Sequence, residues 1–202
     1  MNNKLLLVTT AAASLLAGLA IVPSTATAQD KGGKKGGIQL PPMIHITVAD
    51  FADGGRIPAK YTCAAGPTSP SPAISWTGAP ATTQSYVLIL HDPDPVLQGS
   101  ATNDVLHWAI MDIPGDAKGL PEGVKNGDQA DGSKNIPNIT RTAGYLGPCP
   151  PAGHGDHHYT FELFALSAKL GLPADTSRAD LLAAMNGKVV AKGVYIGIFG
   201  QK

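Results

Sequence analysis

Short apolar segments separated by glycine and proline dominate this chain of 202 residues and restrict the folds open to it. Gly occurs 24 times and Pro 17 times, so together they fill about a fifth of the positions. Both residues weaken the interior of a helix, which excludes a helical bundle or a long coiled coil. A formal net charge of zero at pH 7 argues against a nucleic-acid-binding protein, because such a protein needs a basic surface for the phosphates.

Five apolar segments have the length and pattern of β-strands. Residues 44–48 alternate between apolar and polar side chains, which is the period of a half-buried strand. Residues 86–90 are apolar without interruption, as in a strand that is covered on both faces. The other three predicted strands are 105–111, 159–166 and 194–199. The pattern predicts one mostly β domain over residues 43–202, with no internal repeat and no second domain.

One helix is predicted near the C-terminus. Ser177 can accept the first backbone hydrogen bond, and Gly193 can end the helix. Gly187 would lie inside this helix at a cost of about 1 kcal/mol relative to Ala, so the second half is expected to fray or break. The apolar positions that recur at helical spacing are Leu181, Leu182, Met185 and Val189.

Residues 1–28 have the pattern of an export signal. Lys4 is their only charged residue, residues 5–22 form an apolar run, and Ala26-Thr27-Ala28 fits a cleavage site for a signal peptidase. An uncleaved membrane anchor is the alternative, because about 18 apolar residues can span a bilayer. Cleavage would make residues 29–42 a flexible mature N-terminus. The mature protein would then be periplasmic or secreted and would have no transmembrane span.

The chain has two cysteines, Cys63 and Cys149, and both follow the predicted export signal. An even number in an oxidising compartment favours a disulfide, although two separate buried thiols fit the spacing as well. The sequence contains no C-x-x-C motif, so it does not support redox catalysis or a cysteine-built zinc site.

Polar residues concentrate in three segments beside predicted strands. Asp92 and Asp94, each followed by proline, come directly after strand 86–90, where an ordinary Asp-Pro turn is the simpler interpretation. His107 lies within an apolar strand, on the face that also carries Ala109 and Met111, and a single histidine there is more often a core residue than a ligand. The third segment runs from residue 147 to residue 159 and holds several prolines, glycines and histidines. Five of the six histidines lie in or beside these segments, which favours one shared pocket.

Taken in order, these motifs resemble the phosphatidylethanolamine-binding protein family, and more closely its bacterial Raf-kinase-inhibitor-like branch. The motifs are DPDP after a buried strand, HW on the next strand, GPCPPxG and then HxY before another strand, and the resemblance runs from about residue 44 to residue 199. It implies an antiparallel β-sandwich with one or two C-terminal helices and a small anion pocket. The residues that it assigns to the pocket are Asp92, Asp94, His107, Gly147, Pro150, Pro151, His157 and Tyr159. Residues 131–143 depart from the family pattern, which leaves one pocket wall undefined.

The predicted function is therefore non-catalytic binding of a small phosphate-bearing or other anionic ligand, such as a phosphoethanolamine head group, without a cofactor. Imidazole N–H groups, the Tyr159 hydroxyl and backbone amides can donate to an oxyanion. The two carboxylates would either fix the histidine tautomers or accept an ammonium group from the ligand.

Three other functions are open at this stage. An enzyme lacks support, because no nucleophile motif accompanies the polar residues, unless Cys149 is a free reactive thiol. A metal site would need His154 and His157 together with a distant carboxylate. Inhibition of a periplasmic or secreted protease, or of another protein partner, through the same pocket is the principal alternative to binding a small ligand.

Overall fold

The computed structural model describes residues 42–66 and 68–201. The predicted export signal, 1–28, and all but the last residue of the predicted flexible segment, 29–42, lie outside the described residues. The strands are β1 (His45–Val48), β2 (Gly55–Arg56), β3 (Ile74–Thr77), β4 (Ser85–Asp92), β5 (Val105–Pro114), β6 (Gly119–Leu120), β7 (Lys134–Asn135), β8 (His157–Leu166) and β9 (Val189–Phe199). The helices are α1 (Asp94–Leu97), α2 (Arg178–Met185) and two 3-10 turns, Ala59–Tyr61 and Cys63–Ala65.

The strands form two sheets, one of three strands in the order β1-β3-β6 and one of six in the order β2-β9-β8-β4-β5-β7. Neighbouring strands in both sheets are antiparallel, except that β2 runs parallel to β9. The predicted mostly β fold with a helix near the C-terminus is confirmed, and the single parallel pair is an addition to it.

Apolar side chains cover both faces of the larger sheet. Trp108 and Phe161 belong to a core cluster that also includes residues of the small sheet, such as Trp76. On the opposite face, Val87 and Leu181 of α2 belong to a second cluster. Strand β4 therefore lies between two apolar layers, and residues 86–90 are at most 1% exposed. The uninterrupted apolar sequence of this strand predicted that arrangement correctly.

The C-terminal helix is shorter than its sequence pattern predicts. Its start is correct, since the Ser177 hydroxyl accepts a hydrogen bond from the Asp180 amide at 3.1 Å. The helix ends at Met185 because the chain adopts a left-handed conformation at Gly187, where φ is 72°. Val189 is consequently the first residue of β9, so the predicted helical position of Val189 and the predicted stop at Gly193 are wrong.

Two β-bulges interrupt the pairing of β4 with β5. Leu90 pairs with Trp108 while the next residue, His91, pairs with Leu106, so His107 is an extra residue opposite them. A second register shift leaves Asp112, with φ of 55°, outside the regular pairing. Such bulges change the face to which the following side chains point.

The predicted disulfide between Cys63 and Cys149 is present, with the two Cα atoms 5.3 Å apart. It joins the second 3-10 turn to the proline-rich loop that precedes β8. Within the described residues, no helix has the length and apolar character that crossing a membrane requires.

Candidate functional site

A small cavity of about 220 Å³ lies where β4, β5 and β8 meet the proline-rich loop. Seven of the eight predicted pocket residues line it: Asp92, His107, Gly147, Pro150, Pro151, His157 and Tyr159. The strands supply the ionisable side chains from separate parts of the sequence, and the loop supplies backbone and apolar surface. The topology therefore brings together groups that are up to 67 residues apart along the chain, as Asp92 and Tyr159 are.

Asp92 and His157 form a buried pair in the lining of the cavity. The Asp92 Oδ2 atom lies 2.7 Å from His157 Nδ1, and both residues are at most 3% exposed. Because an ionised carboxylate only accepts hydrogen bonds, it fixes the proton of His157 on Nδ1. The other carboxylate oxygen, Oδ1, accepts from the Asp94 amide at 3.0 Å. Asp92 thus orients the imidazole, which is the first of the two roles predicted for the carboxylates.

His107 also lines the cavity. Its Nδ1 lies 3.0 Å from the Leu146 carbonyl oxygen, and its ring packs edge-on against Tyr159 with the ring centres 5.1 Å apart. Burial lowers the pKa of His107, although the hydrogen bond to Leu146 opposes the effect, so the neutral form is favoured. The prediction that His107 shares a face with Ala109 and Met111 is wrong, because the bulge turns it toward the cavity and away from their cluster.

The hydroxyl of Tyr159 is the most unusual polar group in the site. It is fully buried, and no described residue accepts a hydrogen bond from it. The Cys149 backbone amide is near enough to the hydroxyl oxygen to oppose the rise in the Tyr159 pKa, but an amide N–H only donates, so the hydroxyl proton stays free. Burial also raises the pKa of Tyr159 far above its usual range, so the hydroxyl keeps its proton. Buried polar groups in folded proteins are almost always paired. The Tyr159 hydroxyl is therefore a donor that is available to a ligand.

The proline-rich loop is held rigidly against the turn around Cys63. The Cys63 amide donates to the Pro148 carbonyl at 3.0 Å, beside the disulfide to Cys149. Gly147 lies so close to this turn that a Cβ atom there would be 2.8 Å from the Tyr61 carbonyl oxygen and 2.4 Å from the Ser69 hydroxyl. Only glycine fits at this point, and the close approach fixes the position of the loop wall.

Asp94 does not belong to the cavity, in contrast to the prediction. Its Oδ2 accepts the backbone amide of His158 at 2.7 Å and lies 3.2 Å from the imidazole Nδ1 of the same residue. His158 faces the opposite side of β8 from His157, as the alternation along the strand predicts. Asp94 therefore fastens the beginning of β8 and supports the site indirectly.

Several residues of the site were not predicted from the sequence. The apolar lining also includes Pro95, Val105, Ile139 and Leu146. Ile139 comes from the segment that departs from the family pattern, and its amide donates to the Leu106 carbonyl at 3.0 Å. The side-chain amide of Gln98 lies 3.4 Å from His157 Nε2. No local sequence signal identifies these residues, because long-range pairing brings them to the cavity.

A larger cavity, of about 350 Å³, lies between residues 68–71 and 123–126. Its polar groups serve the fold: Asn138 bonds to the Gly144 carbonyl and to Thr140, and the Tyr145 hydroxyl donates to the Tyr61 carbonyl. We therefore assign the candidate site to the smaller cavity. Among the described residues, no group of three or more His, Cys, Asp or Glu side chains is arranged to hold a metal ion.

Known proteins resemble this chain over most of its length. A family model described as phosphatidylethanolamine-binding protein matches residues 47–200. A UPF0098 protein of Aquifex aeolicus is 42% identical over 158 residues, which cover 78% of this chain and 88% of the relative. A protein of Mycobacterium tuberculosis, whose name includes the words lipoprotein LppC, is 32% identical over 157 residues, covering 76% of this chain and 72% of that protein.

Solved structures have a fold similar to that of this chain. The chain is similar to YbcL of E. coli, described as a new member of the mammalian PEBP family, with a TM-score of 0.68 and 25% sequence identity. The similarity covers 79% of this chain and 99% of YbcL.

Proposed function

The chain belongs to the phosphatidylethanolamine-binding protein family, and we propose that its small cavity binds one oxyanion, either phosphate or the phosphate-bearing head group of a larger molecule. The observation that carries this proposal is the buried Tyr159 hydroxyl, whose proton has no acceptor among the described residues. An oxyanion in the cavity would accept from it, and also from Nε2 of His157 when that imidazole is protonated. Hydrogen bonds to a charged group contribute about 1.5–3 kcal/mol each.

The composition of the cavity limits the size and charge of its ligand. None of the described residues that line it is Lys or Arg, and Asp92 is among them. A polyanion would find no cationic surface there, whereas a single small anion can be bound by neutral donors and one imidazolium. The apolar lining includes Ile139, which is 59% exposed, and so favours a ligand or a protein partner with an apolar group beside the anionic one.

We also propose that the protein is exported. The apolar pattern of residues 1–28, the disulfide between Cys63 and Cys149, and the word lipoprotein in the name of a relative all support this location.

Replacing Tyr159 with Phe tests the proposed site, because it removes only the unpaired hydroxyl. We expect phosphate binding, measured by titration calorimetry, to weaken about 10-fold, while the free energy of unfolding stays within about 1 kcal/mol of wild type. His157→Ala should weaken binding of phosphate and phosphoethanolamine by about 10- to 100-fold, since it removes an imidazole that can donate to the anion.

Matched variants separate binding from folding. Tyr195→Phe removes a hydroxyl that donates to the Phe51 carbonyl, so it should lower stability without changing binding. His158→Ala, on the opposite face of β8, should also bind normally. Unchanged binding in both Tyr159→Phe and His157→Ala would overturn the assignment of the site.

A further inference from the structure

The hydrogen bonds that His107 can form determine which oxyanions the proposed site accepts. This inference rests on the proposed function. We propose that His107 acts as a hydrogen-bond acceptor in the cavity and that the site therefore selects an oxyanion that carries a proton, such as hydrogen phosphate or dihydrogen phosphate. A fully ionised oxyanion of similar size, such as sulfate, is disfavoured.

The tautomer of His107 follows from its backbone partner. The Leu146 carbonyl oxygen, 3.0 Å from Nδ1, can only accept a hydrogen bond, so Nδ1 carries the proton. A neutral imidazole has one N–H group, which leaves Nε2 with a lone pair. No described residue forms a hydrogen bond with this Nε2 atom. His107 is only 5% exposed, and burial in apolar surroundings opposes a second proton on the ring.

The geometry of β5 holds this lone pair at the cavity. His107 is the extra residue of the bulge opposite Leu90 and His91, and it lines the cavity together with Tyr159. The edge-on contact between the two rings restricts rotation of the imidazole. The Leu146 hydrogen bond fixes the ring from the other side, so His107 cannot move its proton from Nδ1 to Nε2 without losing that bond. Only a second proton, which burial opposes, would turn Nε2 into a donor.

The charges around the cavity also favour an oxyanion that carries a proton. Asp92 is the carboxylate in the lining, and both of its oxygens already accept hydrogen bonds, from His157 and from the Asp94 amide. Because no Lys or Arg lines the cavity, a positive charge there can come only from an imidazole, and burial opposes it at His107. A dianion without a proton would face a carboxylate and a lone pair with at most one compensating charge. A protonated phosphate can donate its O–H to His107 Nε2 and accept from Tyr159 and His157.

Proton-dependent selection predicts a measurable difference between two anions of similar shape. A hydrogen bond that involves a charged group contributes enough to change affinity by about 10- to 100-fold. We expect titration calorimetry of the full chain at about pH 6, where inorganic phosphate carries at least one proton and sulfate none, to give a dissociation constant for phosphate lower than that for sulfate by this factor.

Two substitutions at His107 test its role. His107→Gln brings an amide close to the former Nε2 position, and its NH₂ group can donate to an unprotonated oxygen. We expect sulfate affinity to rise and the preference for phosphate to fall to about threefold or less. His107→Asn can keep a donor for Leu146, but its side chain is too short to place an acceptor at the former Nε2 position, so it should also reduce the preference. Near-UV circular dichroism checks that each variant is folded.

The possible outcomes distinguish this inference from the proposed function. If wild type binds phosphate and sulfate equally well, the selection proposed here is wrong, while the oxyanion site stands. If wild type prefers phosphate but both His107 variants retain the full preference, another residue is responsible and the role of His107 is refuted. If wild type binds neither anion, the proposed function fails and this inference fails with it.

Discussion

Glu162 is the centre of a charged network on the outer face of the large sheet, and its protonation should control stability at low pH. Its Oε1 lies 2.5 Å from Lys192 Nζ on β9, and its Oε2 lies 3.5 Å from His91 Nε2 on β4. His91 continues the network to Asp104, at 2.6 Å, and Asp104 contacts Arg178 of α2 at 2.5 Å. The network therefore joins β9, β8 and β4 to the helix that covers the same face.

The size of the change in stability follows from the pKa of Glu162. His91 and then Lys192 lower this pKa from 4.5 to about 2, although burial acts in the opposite direction. This difference corresponds to about 3 kcal/mol of stabilisation of the carboxylate in the folded state. Because the folded-state pKa lies below the unfolded value, the stabilisation is fully present above about pH 5 and is lost as the pH falls toward 2.

The test is Glu162→Gln, which keeps the shape of the side chain and removes its charge. Denaturant unfolding should give a variant that is about 3 kcal/mol less stable than wild type at about pH 6 and less than 1 kcal/mol less stable at about pH 2. Asp116→Asn, at an exposed carboxylate, is the control and should show no such convergence. A destabilisation by Glu162→Gln that is the same at both pH values would refute the electrostatic explanation.

Two other predictions concern stability. Replacing both Cys63 and Cys149 with Ala opens a loop whose ends are 86 positions apart. Because the unfolded chain then gains conformational entropy, the free energy of unfolding in non-reducing denaturant titrations should fall by about 4–5 kcal/mol. A loss under about 1 kcal/mol would contradict this entropic explanation. Asp112→Ala removes a carboxylate that accepts hydrogen bonds from the backbone amides of Leu170 at 2.7 Å and Gly171 at 2.9 Å. It should therefore lower the free energy of unfolding by about 3 kcal/mol. If Asp112→Ala is as stable as the exposed-site variant Asp116→Ala, this role is contradicted.

The sequence predicted those features that depend on neighbouring residues. The unbroken apolar run 86–90 requires cover on both faces, and the capping position of Ser177 follows from the spacing to Asp180. The shared face of His157 and Tyr159 follows from strand alternation alone. Each of these depends on local periodicity, which the chain displays directly.

The features that the sequence did not predict depend on distant partners. The orientation of His107 follows from how β5 pairs with β4, and nothing beside His107 indicates an extra residue. Asp94 looks equivalent to Asp92 in the repeated Asp-Pro pattern, yet its partner, His158, lies 64 positions away. The early end of α2 depends on Gly187 adopting a left-handed conformation, whereas the apolar spacing continues past it.

Because His107 is an extra residue in a bulge, the proposed ligand site and the continuity of the sheet depend on different residues. Leu90 and His91 keep partners on either side of the extra residue, so the sheet does not depend on it for continuity. Losing that single residue would leave two directly adjacent pairs and remove the imidazole from the cavity wall. A variant that lacks His107 should therefore keep a nearly intact core and lose the proposed anion site, so the specificity of this site can change without a change of fold.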